Sequence, residues 1–106
     1  MKTFTETEEW FECDGAIATV GISQVLQKEI GDVVYIQMPA LGSYLEEGQE
    51  SVILESTKAA LDTYAPLSGK VIAINEKVVE DPSIVNQDPE NAGWLYKIEI
   101  GDEENS

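Results

Sequence analysis

Ser51-Val52-Ile53-Leu54-Glu55-Ser56-Thr57-Lys58-Ala59-Ala60-Leu61-Asp62-Thr63-Tyr64-Ala65 holds two short alternating runs with one lysine between them. Ser51 to Ser56 reads as one strand and Ala59 to Ala65 as the next, closed by Pro66 and the turn signal Ser68-Gly69. With Thr57 and Lys58 as the turn, Ser56 faces Ala59, Leu54 faces Leu61 and Val52 faces Thr63. Side chains alternate across a strand, so Val52, Leu54, Leu61 and Thr63 share one face. Ile53, Glu55, Ala60, Asp62 and Tyr64 share the other. The Lys58 ammonium then stands at a hairpin tip, with small neighbours (Ser56, Thr57, Ala59, Ala60) that leave room for a modifying enzyme. Thr-Lys is not the Asn-Gly or Asp-Gly pair that two-residue turns favour, so the turn type stays open.

Outward from this hairpin, short strands and frequent turns continue in both directions. Phe4 to Cys13 reads as a first strand, and Asp14-Gly15 turns it into Ala16 to Gly21. Ser23 can cap a helix over Gln24 to Ile30, apolar at Val25, Leu26 and Ile30 and ended by Gly31. Asp32 to Met38 is a strand stopped before Pro39. Leu41 to Gly48 is turn material around Tyr44-Leu45. Lys70 to Asn75 is a strand, Glu76 to Asn86 irregular with a helical turn after Asp81-Pro82, and Trp94 to Ile100 the last strand. The pattern predicts a mostly β chain with short helices, an antiparallel sandwich or flattened barrel.

With 106 residues the chain has room for one domain, expected over 1–100, followed by an acidic tail at 101–106. There is no long apolar run and no basic-then-apolar leader, and the first motif starts within ten residues of Met1. A cytoplasmic protein with no membrane association is expected. Six lysines, no arginine and 21 acidic residues give a formal charge of −15, which argues against nucleic-acid binding. Such a surface favours basic partner clefts, repels copies of itself and predicts a monomer.

The missing chemistry is equally informative. There is no histidine, hence no His-based general base, nucleophile pair or metal site. A single Cys13 excludes an intrachain disulfide and a thiolate zinc cluster. The glycines stand singly at turns, without a phosphate-cradling loop. Taken alone, a lysine at a turn is solubilising charge. The flanking residues change that reading, and a carrier needs no catalytic residue of its own.

Those flanks resemble the lipoyl-lysine hairpin of the glycine cleavage system H protein family, whose signature runs Glu-Ser-Val-Lys-Ala, then Asp, then Pro-x-Ser-Gly. Here stand Glu55-Ser56-Thr57-Lys58-Ala59, Asp62 and Pro66-Leu67-Ser68-Gly69. Thr19-Val20-Gly21-Ile22-Ser23, Gly31-Asp32-Val33-Val34-Tyr35-Ile36, Pro82-Ser83-Ile84-Val85-Asn86 and Gly93-Trp94-Leu95 match as well, so the resemblance runs from about Glu9 to about Ile100. It implies the barrel-sandwich hybrid of lipoyl and biotinyl domains, with lipoic acid bound covalently as an amide on Lys58. It implies a carrier, not an enzyme, that shuttles the aminomethyl group of glycine from a glycine decarboxylase to a tetrahydrofolate-dependent aminomethyltransferase. The further implied partners are dihydrolipoamide dehydrogenase and a lipoate ligase or lipoyl/octanoyl transferase.

In that family the loaded arm folds into a surface cleft. The resemblance assigns the cleft to Glu9, Asp62 and the position of Glu29. Glu9 has the alternative of being an exposed strand carboxylate, and Asp62 that of a solvated charge on the hairpin's polar face. Two histidines of the family pattern are replaced, by Glu8 and Glu29, and family members normally continue past the equivalent of Ile100 into a helical segment. The alternative function is a divergent H-like lipoyl relay to 2-oxoacid dehydrogenases. A biotinyl carrier would show Met-Lys-Met at the tip, where this chain has Thr57-Lys58-Ala59.

Overall fold

The computed structural model describes residues 1–101, so the expected acidic tail, Gly101 apart, lies outside the described residues. In chain order the elements are β1 (Thr3–Phe4), β2 (Glu9–Asp14), β3 (Ile17–Ile22), α1 (Gln24–Ile30), β4 (Val33–Gln37) and β5 (Tyr44–Leu45). There follow β6 (Glu50–Ser56), β7 (Ala60–Tyr64), β8 (Gly69–Ile74), α2 (Glu76–Glu80), α3 (Ser83–Gln87) and β9 (Tyr96–Glu99).

Two antiparallel sheets carry the fold: a six-stranded one ordered β1-β2-β3-β9-β8-β5 and a three-stranded one ordered β4-β6-β7. Alternation along the strands builds the core between them. Ala18, Val20 and Ile22 of β3 and Ile98 of β9 join Val52 and Leu54 of β6 in one buried cluster. Each of these Val, Leu and Ile side chains contributes about 1.5–3 kcal/mol by leaving water.

The expected first strand, Phe4 to Cys13, is in fact two. A turn at Glu6–Glu8 folds β1 back on β2, with Thr5 N–H donating to Glu9 O (2.8 Å) and Glu8 at φ 68. Thr5 to Glu9 are all polar but include no Gly, Pro, Asn or Asp to mark a turn, so local residue signals do not reveal the break. The Asp14-Gly15 hairpin forms as expected, Asp14 facing Ile17 and Gly15 at φ 64. Ser23 caps α1 through its side chain, which accepts from Leu26 N–H (3.0 Å). The helix buries Leu26 and Gln27, while Val25, expected on the apolar side, is exposed. Glu76–Glu80, read as irregular, is a helix capped by the Asn75 side chain.

Candidate functional site

The hairpin forms in the expected register: Leu54 faces Leu61, Ile53 faces Asp62 and Glu55 faces Ala60. Val52, Leu54 and Thr63 are buried, and Asp62 is half-buried. The open question of the turn type is settled by Ser56. Its N–H donates to Ala59 O (2.8 Å), and its hydroxyl accepts from the N–H of Lys58 and of Ala59 (both 3.1 Å) while donating to Ala59 O (3.1 Å). A side-chain oxygen thus closes the tip, as serine turns do. Neither Thr57 nor Lys58 needs the left-handed backbone of Asn-Gly turns. Among the described residues the only non-glycine with positive φ is Glu8.

The tip is braced from outside the hairpin. Thr57 N–H donates to Asp32 O (3.0 Å). The next residue, Val33, exchanges two hydrogen bonds with the Asn86 side chain, Val33 N–H to Oδ1 (2.8 Å) and Asn86 Nδ2 to Val33 O (3.1 Å). Gly31, at φ 79, leaves space for the lysine stem: a Cβ there would stand 3.5 Å from Lys58 Cε and 3.7 Å from Cδ. Lys58 itself is exposed, and among the described residues its amine makes no ion pair or hydrogen bond. Its stem runs beside Gly31, and its amine is left open to reaction.

Beside the hairpin runs a groove of about 660 Å³. Ala60, Leu61, Asp62 and Tyr64 of β7 form one wall, the Glu6–Glu9 turn another, and Leu26 and Glu29 of α1 the end. The structure therefore brings Glu9, Glu29 and Asp62 to one groove, although they lie far apart in the chain, and adds Glu6 and Glu8. Five carboxylates line it and no basic side chain does. Glu55, Ser56 and Ala59 belong to the tip and not to this lining.

Glu9 differs from the exposed carboxylate that was its alternative. It is 3% exposed. Its Oε1 accepts from the hydroxyls of Thr5 (2.7 Å) and Thr7, and its Oε2 from Tyr64 N–H (2.9 Å). The carboxylate fastens β7 of one sheet to β2 of the other. Beneath it, burial pushes the Tyr96 phenol up to about 12. The nearby Ser51 hydroxyl eases that shift and the Glu9 charge adds to it, yet the phenol oxygen has no hydrogen-bond partner in good geometry. Thr5, Thr7, Tyr64, Gly31 and Asn86 had no site role in the sequence reading. Only Ser56 carried a local signal, the known tendency of serine to close turns.

Known proteins share this sequence pattern and this fold. The family model described as Glycine cleavage H-protein matches residues 2–106. The glycine cleavage system H protein of Thermotoga maritima is 48% identical over 103 residues, 97% of this chain and 83% of that one. The H protein of Carboxydothermus hydrogenoformans is 44% identical over 100 residues, covering 94% and 77%. A crystal structure of a glycine cleavage system H protein from Mycobacterium marinum superposes with TM-score 0.87 at 30% identity, over 98% of this chain and 95% of that one. The likeness extends to the fold, a mostly β barrel-sandwich hybrid with short helices. With its hairpin lysine, its two-sheet frame and relatives matched over nearly the full chain, this protein belongs to the glycine cleavage H-protein family.

Proposed function

We propose that Lys58 is joined by an amide bond to lipoic acid, and that the chain carries the aminomethyl group of glycine between a glycine decarboxylase and a tetrahydrofolate-dependent aminomethyltransferase. The observation that supports this most directly is an exposed, unpartnered amine at the apex of a side-chain-closed turn, within Glu55-Ser56-Thr57-Lys58-Ala59. The residues suit the group: small residues flank Lys58 in the chain, and a groove runs along β7 from Ala60 onward. From Lys58 to Asp62 along the strand is roughly 13 Å, a length that an acylated lysine can follow. When bound, the lipoyl group supplies a tethered disulfide that takes up the one-carbon fragment and is left reduced after delivery.

The chain's own residues hold and position. Ser56 fixes the apex and Gly31 gives the lysine stem its room. Asp62 and Glu29 offer carboxylates to a protonated amine through charge-assisted hydrogen bonds, and Glu9 keeps the β7 wall in place. Keeping one reactant on a tether raises its effective concentration at successive partner sites. Dihydrolipoamide dehydrogenase and a lipoate ligase or lipoyl/octanoyl transferase complete the set of partners. The names of the relatives favour this role over a lipoyl relay to 2-oxoacid dehydrogenases. Among the described residues no helix is long and apolar enough to cross a membrane.

Intact-mass measurement of the chain made in lipoylating cells tests the proposal. One lipoyl increment is expected, and none in Lys58→Arg. An unmodified mass in cells that lipoylate other proteins would refute it, as would full glycine-cleavage activity of Lys58→Arg.

A further inference from the structure

β7 lies at the edge of its sheet, paired only with β6. In an antiparallel pair, successive residues turn their main-chain groups alternately toward the partner strand and away from it. Ser56 N–H reaches Ala59 O, and Ala65 N–H reaches Gln49 O, so the odd-numbered residues from 59 to 65 face inward. Tyr64 N–H points outward, onto Glu9. By the same alternation the N–H and C=O of Ala60 and of Asp62 point away from β6, and no hydrogen bond to them is made among the described residues. Both residues line the groove described above. Glu9 closes this open edge at Tyr64 and the lysine turn closes it at the other end.

We propose that this window of β7 receives an extended, lysine- or arginine-bearing segment of a partner protein by strand addition. The main chain of Ala60 and Asp62 would supply the ladder, and the carboxylates of Glu6, Glu8, Glu29 and Asp62 would read the partner's positive charge. Charge decides the occupant. A second copy of this chain, at a formal −15, is repelled. A neutral strand would satisfy the main chain but leave these carboxylates without counter-charge. The carboxylates also explain why an open edge persists without self-pairing, because charges beside an edge strand discourage copies of the same chain. The proposal shares the groove with the function proposed above and adds a protein ligand to it, yet it needs no acyl group, so the two can fail separately.

The test uses the full, unmodified chain and a blocked peptide, acetyl-Lys-Val-Lys-Val-Lys-amide. Amide hydrogen exchange is read residue by residue. At saturation the peptide is expected to slow exchange at Ala60 and Asp62 about tenfold or more, relative to other exposed amides. The same peptide with every backbone nitrogen methylated, and acetyl-Glu-Val-Glu-Val-Glu-amide, are expected to leave those amides unchanged. Ala60→Pro removes one outward N–H without touching the ladder to β6 and is expected to weaken binding about tenfold. Binding with unchanged exchange at Ala60 and Asp62 would overturn the proposal, since charge alone would then hold the peptide. So would equal binding of the methylated or the acidic peptide, or no binding at all. If Ala60→Pro does not fold, the methylated peptide decides the matter on the unaltered chain. Lipoylation of Lys58 is scored independently by mass.

Discussion

Replacing Ser56 by alanine should loosen the lysine apex without unfolding the sheet. The hydroxyl accepts two hydrogen bonds, from Lys58 N–H and Ala59 N–H, and donates one to Ala59 O, all at 3.1 Å. A net hydrogen bond is worth about 0.5–1.5 kcal/mol, and at an exposed tip water replaces much of that. The Ser56 N–H bond to Ala59 O survives the substitution, as does the brace from Thr57 N–H to Asp32 O. A loss of about 1 kcal/mol follows, or roughly fivefold more open tip. Amide exchange should accelerate by that factor at Lys58 and Ala59 and stay unchanged at Val52 and Leu54, which are buried in the core strand. The rate of lipoylation by a lipoate ligase depends on the closed fraction and should fall far less than exchange rises, while Ser56→Thr should keep exchange near that of the unaltered chain because an oxygen remains at the same position. Unchanged exchange at Lys58 and Ala59 in Ser56→Ala would refute the reasoning, and would mean that the backbone holds the turn alone.

Gly31→Ala should destabilise the chain by about 1–3 kcal/mol, read as a lowered thermal midpoint, because φ 79 with ψ −159 suits only glycine. The new methyl itself would meet Lys58 Cε at an ordinary 3.5 Å, so strain and not collision is the cause. Gly21→Ala should cost at least as much through crowding, since its Cβ would sit 2.7 Å from the indole of Trp10, a ring 2% exposed and held by Nε1–H donating to Pro89 O. Denaturant titration at constant m value would measure it. The Tyr96 phenol, raised to about 12 in the fold against 10.0 as its ordinary value, stays protonated in the fold while the unfolded chain ionises. Stability is therefore full below pH 10 and lost between pH 10 and 12, by about 2–3 kcal/mol. Tyr96→Phe should abolish that alkaline dependence in urea titrations from pH 9 to 12, at little cost near neutrality, because the hydroxyl it removes has no partner.

The hairpin, its register and the Ser23 cap were legible because each is written in a few neighbouring residues: period-two alternation, a turn and a side-chain oxygen before a helix. The exposed position of Lys58 at the hairpin tip was legible for the same reason. The break between Thr5 and Glu9 was not, since that stretch has none of the usual turn residues and the turn is held by Thr5, Glu8 and Glu9 main-chain bonds. The helix at Glu76–Glu80 has five residues, too few for a helical period to show. The groove is a tertiary product of three separated segments. Only the family pattern pointed to Glu9, Glu29 and Asp62, and only coordinates show that both Glu9 oxygens are already engaged.

The Glu9 fastening carries a practical warning about protein handles. Thr5 and Thr7, which anchor that carboxylate, follow directly on β1, and the Met1 ammonium is itself paired with Glu12 at 3.1 Å. An affinity tag fused ahead of Met1 would turn that ammonium into an amide and tug on a two-residue strand whose continuation forms a groove wall. A cleavable leader and a matched untagged control therefore belong in every comparison of groove variants.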